Sequence, residues 1–309
     1  MSRAFVFPGQ GAQAIGMGQA LAKAYPTARA VFEQVDDALG EALSALIWDG
    51  DIAELTLTAN AQPALMATSL AAMRALEAEG VAVTDAAYVA GHSLGEYSAL
   101  AAAGSLDIGD AARLLRIRGR AMQDAVPVGE GAMAALLGLD FATACDVAAE
   151  GADGDVCQAA NDNDPAQVVV SGHKAAVERA VEIAKARGAK RALLLPVSAP
   201  FHCALMQPAA EAMQAALAEV ALRAPAVPLV ANIRAQAVSE PDVIRALLVE
   251  QVTGSVRWRE SVQWMAEQGV TEFWEIGAGK ALSGMIKRIA RGTSTRNFGA
   301  PEDVAALAV

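Results

Sequence analysis

Gly91-His92-Ser93-Leu94-Gly95-Glu96-Tyr97-Ser98-Ala99-Leu100 is the stretch that decides the fold. Its core is G-x-S-x-G. The residues before it, Asp85-Ala86-Ala87-Tyr88-Val89-Ala90, end in a short apolar run suited to a strand. Residues 96–103 are rich in Ala and Leu and suit a helix. Strand, tight turn, helix is the context in which this pattern becomes a nucleophile elbow. The turn is sharp, so a side chain at Gly91 or Gly95 would clash where strand and helix approach. Ser93 then sits at the apex with its hydroxyl exposed. A helix N-terminus there favours negative charge on that oxygen or on an attacked carbonyl. An ordinary strand-to-helix turn with Ser as N-cap would carry the same letters, so the rest of the chain has to decide.

Composition narrows the setting. Of 309 residues 54% are apolar and 19% charged, enough for a sizeable core and too ordered a mixture for a disordered chain. Lys and Arg number 24 against 35 Asp and Glu, a net charge of −11, which argues against a nucleic-acid binder. No apolar run reaches the length that spans a membrane. The opening Ser2-Arg3-Ala4-Phe5-Val6-Phe7 turns into Pro8-Gly9 too soon for a signal segment and reads as a first strand. Cys145, Cys157 and Cys203 are odd in number, widely spaced and without C-x-x-C geometry, so neither a disulfide framework nor a zinc site is expected. A reduced, cytoplasmic setting follows.

After the first strand, residues 8–13 form a loop without large side chains, so its backbone N–H groups are accessible beside the elbow. Helices are expected over 16–25 and 28–39, then over 64–79 with Pro63 in its first turn. The segment 110–124 shows an apolar stripe of Ala111, Leu114, Leu115, Ala121 and Met122. Arg113, Arg116 and Arg120 lie on another face, but Arg118 falls on the stripe. A guanidinium facing the core needs an anionic partner. A structural Asp or Glu would serve. So would a carboxylate brought by substrate, to which Arg offers two parallel donors.

Pro127 to Gly131 breaks the pattern. Beyond it come a strand (132–137), a helix (141–150), strands (156–160 and 167–171), a helix (174–187) and a strand (191–195). The order βαββαβ is the split-βαβ, ferredoxin-like unit. It forms a small domain inserted with its ends close together. From Val197 the large domain resumes, with helices over 204–217, 241–250, 261–268 and 281–290 and strands over 227–232 and 272–276. The order of the Thr/Ser/Gly-rich tail from Arg291 is left open.

Ser93 needs a base, and the chain holds only three histidines. His92 neighbours the apex residue and points away from it. His173 sits in a turn of the inserted unit. His202 lies in a Pro-containing loop at the junction between domains, where clefts form, and is the favoured base. Asp162 and Asp164 fall in the insert, so no convincing third acid follows and a dyad is expected.

Phe7-Pro8-Gly9-Gln10-Gly11-Ala12-Gln13, the elbow Gly91 to Tyr97, Arg118-Gly119, Pro200-Phe201-His202 and Glu275-Ile276-Gly277-Ala278-Gly279-Lys280 occur in this order. Together they resemble the malonyl-CoA:acyl carrier protein transacylases of bacterial fatty acid synthesis, over essentially the whole chain. The resemblance implies an α/β-hydrolase-like large subdomain, residues 1–127 and 197–309, with a ferredoxin-like subdomain, residues 128–196, inserted in it. It implies that Ser93 is acylated, that His202 is its base, and that the main-chain carbonyl of Gln251 supports His202 in place of an acid. It assigns the oxyanion hole to the N–H groups of Gln10 and Leu94, and the malonyl carboxylate to Arg118. Gln62, Asn161 and Asn163 also fall at family-like positions near the cleft. The implied partners are malonyl-CoA and acyl carrier protein. No metal or redox cofactor is needed, and the state implied is a monomer.

Phe201 bears on substrate choice. A large ring just before His202 narrows the pocket near the α-carbon and favours malonyl over methylmalonyl, or else it only packs in the core. In related polyketide acyltransferases a Phe at this place and a small apolar residue after the elbow Ser accompany malonyl selectivity, and Phe201 and Leu94 match that pattern. An acidic carrier protein requires a local basic patch on this acidic chain. Lys185, Arg187, Lys190 and Arg191 offer one cluster, and Lys287, Arg288 and Arg291 another. The rival readings are an acyl-thioester hydrolase on the same scaffold, a polyketide-pathway trans-acting acyltransferase, and a non-catalytic carrier-binding scaffold.

Overall fold

The computed structural model describes residues 2–197 and 199–307. Strand β1 (Ser2–Phe7) leads into helices α1 (Gln19–Ala24), α2 (Pro26–Leu39), α3 (Leu43–Asp49), α4 (Ile52–Thr56) and α5 (Thr58–Ala78). Strand β2 (Tyr88–Gly91), α6 (Gly95–Ala102) and α7 (Ile108–Asp124) follow. Next come β3 (Gly131–Leu137), α8 (Phe141–Ala152), β4 (Cys157–Asp164), β5 (Gln167–His173), α9 (Lys174–Ala186) and β6 (Arg191–Leu194). The chain then runs through α10 (Gln207–Ala218), β7 (Leu229–Ala231), β8 (Gln236–Val238), α11 (Pro241–Thr253), α12 (Trp258–Glu267) and β9 (Val270–Ile276). It closes with α13 (Ala281–Ile289), β10 (Ser294–Phe298) and α14 (Pro301–Ala305).

The strands form two sheets. The larger has the order β10-β9-β1-β2-β7-β8, with the first five strands parallel and β8 antiparallel to β7. Parallel strands are buried on both faces, and β1 shows why its sequence is apolar throughout. Ala4 and Val6 join the core under α12 and α13, while Phe5 and Phe7 join the core under the longer helices on the other face. The smaller sheet has the order β4-β5-β3-β6, all antiparallel, with α8 and α9 packed on it around their own apolar cluster. The expected order βαββαβ is thus present in β3-α8-β4-β5-α9-β6.

Two local expectations are corrected, and two strands are added. Pro63 does not open a helix at residue 64; it lies inside α5, which begins at Thr58. A proline in a helix interior orphans the carbonyl four residues back. That carbonyl, Ala59 O, accepts instead from the Arg116 guanidinium at 2.8 Å. Strand β4 does not stop at residue 160 but continues through Asn161-Asp162-Asn163-Asp164. Those polar side chains are buried against the large sheet's elements, where Asp162 pairs with Arg259 and Asp164 with Arg288. The tail contains β10, which pairs with β9 in parallel and buries Phe298 against Trp274. Strand β8 is absent from the sequence reading. Both are short edge strands of mixed polarity, which periodicity does not separate from loops.

The register Phe7↔Gly91 places the ends of β1 and β2 side by side. The loop after β1 and the elbow after β2 therefore emerge together at the carboxyl edge of the parallel sheet, where open α/β sheets bind ligands. Strand β7, on the other side of β2, delivers Asn232 to the same edge.

Candidate active site

The elbow is sterically tight. A Cβ on Gly91 would lie 1.9 Å from the carbonyl of Gly95, and one on Gly95 would lie 2.3 Å from Phe7 O. Only glycine fits at either place. Ser93 adopts φ 53°, in the left-handed region that non-glycine residues rarely occupy. Its strain is held by neighbours: Ser93 N donates to Asn232 Oδ1 at 2.9 Å, and Asn232 Nδ2 donates to Gly91 O at 2.7 Å.

His202 meets Ser93 from the loop between β6 and α10, and it too has a left-handed backbone, φ 59°. Its Nε2 is 2.7 Å from Ser93 Oγ, and its Nδ1 is 2.8 Å from the main-chain oxygen of Gln251 in α11. A carbonyl only accepts, so Nδ1 carries the proton and Nε2 presents a lone pair to the Ser93 hydroxyl. Burial and the nearby Arg118 charge push the imidazole down to about 3 from its ordinary 6.5, so it stands ready as a neutral base.

Arg118 is 1% exposed, as its place on the apolar stripe of α7 requires. It donates to Gln62 Oε1 at 2.7 Å, to Gln251 Oε1 at 2.8 Å and to Ser93 Oγ at 3.1 Å. Of the two partners the sequence left open, a structural carboxylate is not found: no Asp or Glu among the described residues forms an ion pair with it. Its partners are neutral oxygens, which orient the guanidinium without cancelling its charge.

A cavity of about 450 Å³ opens over Ser93 and is lined by Gln10, Gln62, Leu94, Arg118, Asn161, Phe201 and His202 as well. Eight of the ten site residues named from the sequence thus share one cavity. Gln251 lies fully buried behind His202, and Asn163 is bonded to His92 outside the lining. The N–H groups of Gln10 and Leu94 have no acceptor among the described residues; the Gln10 side chain is turned to Thr58, whose hydroxyl donates to its Oε1 at 2.8 Å. Phe201 is 8% exposed and presents its ring to the cavity and the core alike.

The other histidines do different work. His92 Nε2 pairs with Asn163 Oδ1 at 2.8 Å, and burial lowers its pKa. His173 ends β5 and accepts from Val156 N at 3.0 Å. Sequence reading missed Asn232, the Glu96 carboxyl beneath the elbow, and the apolar wall of Met122, Met133 and Leu195. Asn232 had a faint signal, as a polar residue just past an apolar strand. Nothing in the sequence says that this strand lies next to β2. Among the described residues no His/Cys/Asp/Glu group could hold a metal ion, and no helix is long and apolar enough to cross a membrane.

Residues 4–296 match the acyl transferase domain family. A malonyl CoA-acyl carrier protein transacylase of Escherichia coli K12 is 47% identical over 303 residues, 98% of this chain and 97% of that one. The crystal structure of an acyl-carrier-protein-S-malonyltransferase from Bartonella henselae superposes with a TM-score of 0.97 at 55% identity, covering 99% of this chain and 98% of that one. A malonyl-transacylase solved in complex with a type II polyketide-synthase acyl carrier protein superposes with a TM-score of 0.96 at 42% identity, again over 99% and 98%.

Proposed function

The chain belongs to the acyl transferase family, among the malonyl-CoA:acyl carrier protein transacylases, and on that premise we propose how its residues carry the reaction. It is an acyltransferase that moves the malonyl group from malonyl-CoA to the phosphopantetheine thiol of acyl carrier protein. The fold is an α/β-hydrolase-like large subdomain, residues 1–127 and 197–309, carrying a ferredoxin-like insert, residues 128–196.

Malonyl-CoA enters the cavity and its free carboxylate takes two parallel N–H donors of Arg118. His202 Nε2 removes the Ser93 proton as Oγ attacks the thioester carbonyl. The N–H groups of Gln10 and Leu94 hold the oxyanion; losing one such donor costs about 3–4 kcal/mol in the barrier. The C–S bond breaks, and the thiolate of CoA leaves with the proton from His202. The carrier thiol then gives its proton to His202 and attacks the malonyl ester, and Ser93 Oγ recovers that proton on departure. Every group in this scheme is a side chain or backbone amide of one chain, so a monomer suffices and no cofactor enters. Cytoplasm is the setting in which Cys145, Cys157 and Cys203 stay free thiols.

The observation that carries the reading is the position of Ser93 Oγ, 2.7 Å from His202 Nε2 and 3.1 Å from the Arg118 guanidinium. A buried guanidinium beside the nucleophile suits no neutral acyl chain, which weighs against a simple esterase. Intact-mass measurement after mixing with malonyl-CoA tests it: one malonyl adduct is expected on the wild type and none on Ser93→Ala. A burst of one equivalent of CoA without carrier protein distinguishes the transferase from a hydrolase, which would continue to release CoA.

A further inference from the structure

Among the described residues four carboxyl side chains are almost wholly buried: Glu96, Asp162, Asp164 and Glu275. Asp162 and Asp164 pair with Arg259 and Arg288. Glu275 accepts from the N–H groups of Leu282 and Ser283 at the start of α13, at 3.0 and 2.8 Å, and from Asn297. Glu96 is different. Its carboxyl takes the Gln251 Nε2 donor on one oxygen and a long contact from Asn232 N, 3.4 Å, on the other. No cation touches it among the described residues.

Arg118 is the complementary case, a buried cation without an anion. The two are separated by a single amide. Gln251 Oε1 accepts from Arg118 at 2.8 Å, and Gln251 Nε2 donates to Glu96. The same Gln251 residue supports His202 through its main-chain oxygen and donates to Ser93 O at 3.0 Å. The Glu96 carboxyl therefore holds the side chain that aligns Arg118, while its own charge stands one amide behind the guanidinium.

We propose that Glu96 is a positioning residue with two settings. Protonated, it holds the Gln251 amide and leaves the Arg118 charge uncompensated for the malonyl carboxylate. Ionised, it satisfies that charge from behind and competes with the incoming carboxylate. The inference rests on Arg118 being the partner of that carboxylate.

Electrostatics support the geometry. Burial raises the Glu96 carboxyl from its ordinary 4.5 to about 8, although Gln251, Asn232 and the Arg118 charge all pull it down. Around it, α7 brings Arg118, β7 and α11 bring the neutral amides Asn232 and Gln251, and α6 itself brings Tyr97, whose buried hydroxyl is pushed above its ordinary range. His202 stands beyond Ser93 and Gln251 and is held neutral by burial and by Arg118. A second anion on Arg118 disfavours the Glu96 carboxylate further, so above that pH the docking of malonate takes up a proton. Malonyl affinity is therefore full while Glu96 is protonated and declines as pH rises through its titration.

The test is the rate of malonyl-enzyme formation, as kcat/KM from pH 6 to 9.5, for the wild type and Glu96→Gln. Glutamine keeps an oxygen for Gln251 Nε2 and cannot ionise. The wild type is expected to be level to pH 7.5 and to fall about fivefold by pH 9, while the variant changes less than about twofold. A level wild-type profile, or an equal fall in both proteins, overturns the proposal. Should the variant not fold, the wild type alone decides: the fall must occur with malonyl-CoA and not with acetyl-CoA, which brings no carboxylate, and equal falls overturn it. Arg118→Ala separates the two layers of the argument. If it loads malonate at the wild-type rate, the reading of Arg118 is wrong. If it loses malonate preference while Glu96→Gln leaves the alkaline fall unchanged, only the role of Glu96 is wrong.

Discussion

A nitrogen of the Arg118 guanidinium stands 3.1 Å from Oγ of Ser93. In the roles proposed for them, the guanidinium and the hydroxyl would address two carbons one methylene apart, the spacing of a malonyl thioester. Replacing Arg118 by Ala removes charge-assisted donors worth about 1.5–3 kcal/mol, a loss of about 10- to 150-fold in malonyl loading. Lys at this position should recover little, because one ammonium cannot meet Gln62, Gln251 and a carboxylate together. Loading rates with malonyl-CoA and acetyl-CoA, compared as a ratio, check both variants.

His202 should remain a base at pH values where a free imidazole is already charged. Its pKa is depressed to about 3, so malonyl loading is expected to stay level from pH 7 to pH 5. An acid limb centred near 6.5 in the free-enzyme profile would contradict this. The same depression makes a stability statement. The contribution of the neutral, buried ring is fully present above pH 6.5 and is lost as pH falls toward 3, because the unfolded chain binds the proton first. Urea midpoints for wild type and His202→Ala across pH 7.5 to 4.5 should converge as pH falls.

Gly91→Ala should cripple the protein structurally before it affects chemistry. The added Cβ would sit 1.9 Å from the Gly95 carbonyl, and its nearest neighbours are all backbone atoms of Gly95 and Glu96, with no flexible side chain to yield. A destabilisation of about 3 kcal/mol or more is expected, read as a lowered unfolding midpoint. Wild-type stability with normal loading would show that the elbow opens more readily than its contacts imply.

Phe201→Ser should enlarge the cavity beside His202. The ratio of methylmalonyl to malonyl loading is expected to rise about tenfold, the scale at which pockets discriminate one methyl group. An unchanged ratio would leave Phe201 as a packing residue only.

The basic clusters now differ in quality. Arg288 is committed to Asp164, Lys185 contacts Glu182, and Arg187 contacts Glu150. Lys190, Arg191 and Lys287 are exposed and lack an ion pair among the described residues. Arg191→Glu and Lys287→Glu should therefore raise KM for acyl carrier protein about tenfold at low salt without changing KM for malonyl-CoA. An equal effect on both substrates would refute carrier docking there. Arg288→Glu should instead lower stability, since it leaves Asp164 buried beside a like charge.

Sequence alone determined whatever is carried by local pattern. The elbow was legible because two glycines and a serine at fixed spacing have one steric use between a strand and a helix. The insert was legible because its six elements follow one another without interruption. Arg118 stood out because its position contradicted the stripe it sits on, and His202 because the chain holds so few alternatives.

Tertiary structure decided whatever depends on which strands are neighbours. Asn232 reaches the elbow only because β7 lies beside β2, a pairing between segments more than a hundred residues apart. The polar run Asn161 to Asp164 becomes strand because partners for it wait on the other sheet's elements. Pro63 sits inside a helix because a guanidinium from α7 takes the carbonyl it frees. The groups that orient Arg118 are two amide oxygens, with Glu96 one residue further back. Residue type and spacing announce that a buried charge exists. Only packing in three dimensions settles what satisfies it, because the satisfying groups arrive from helices and strands whose order in space the local pattern does not encode.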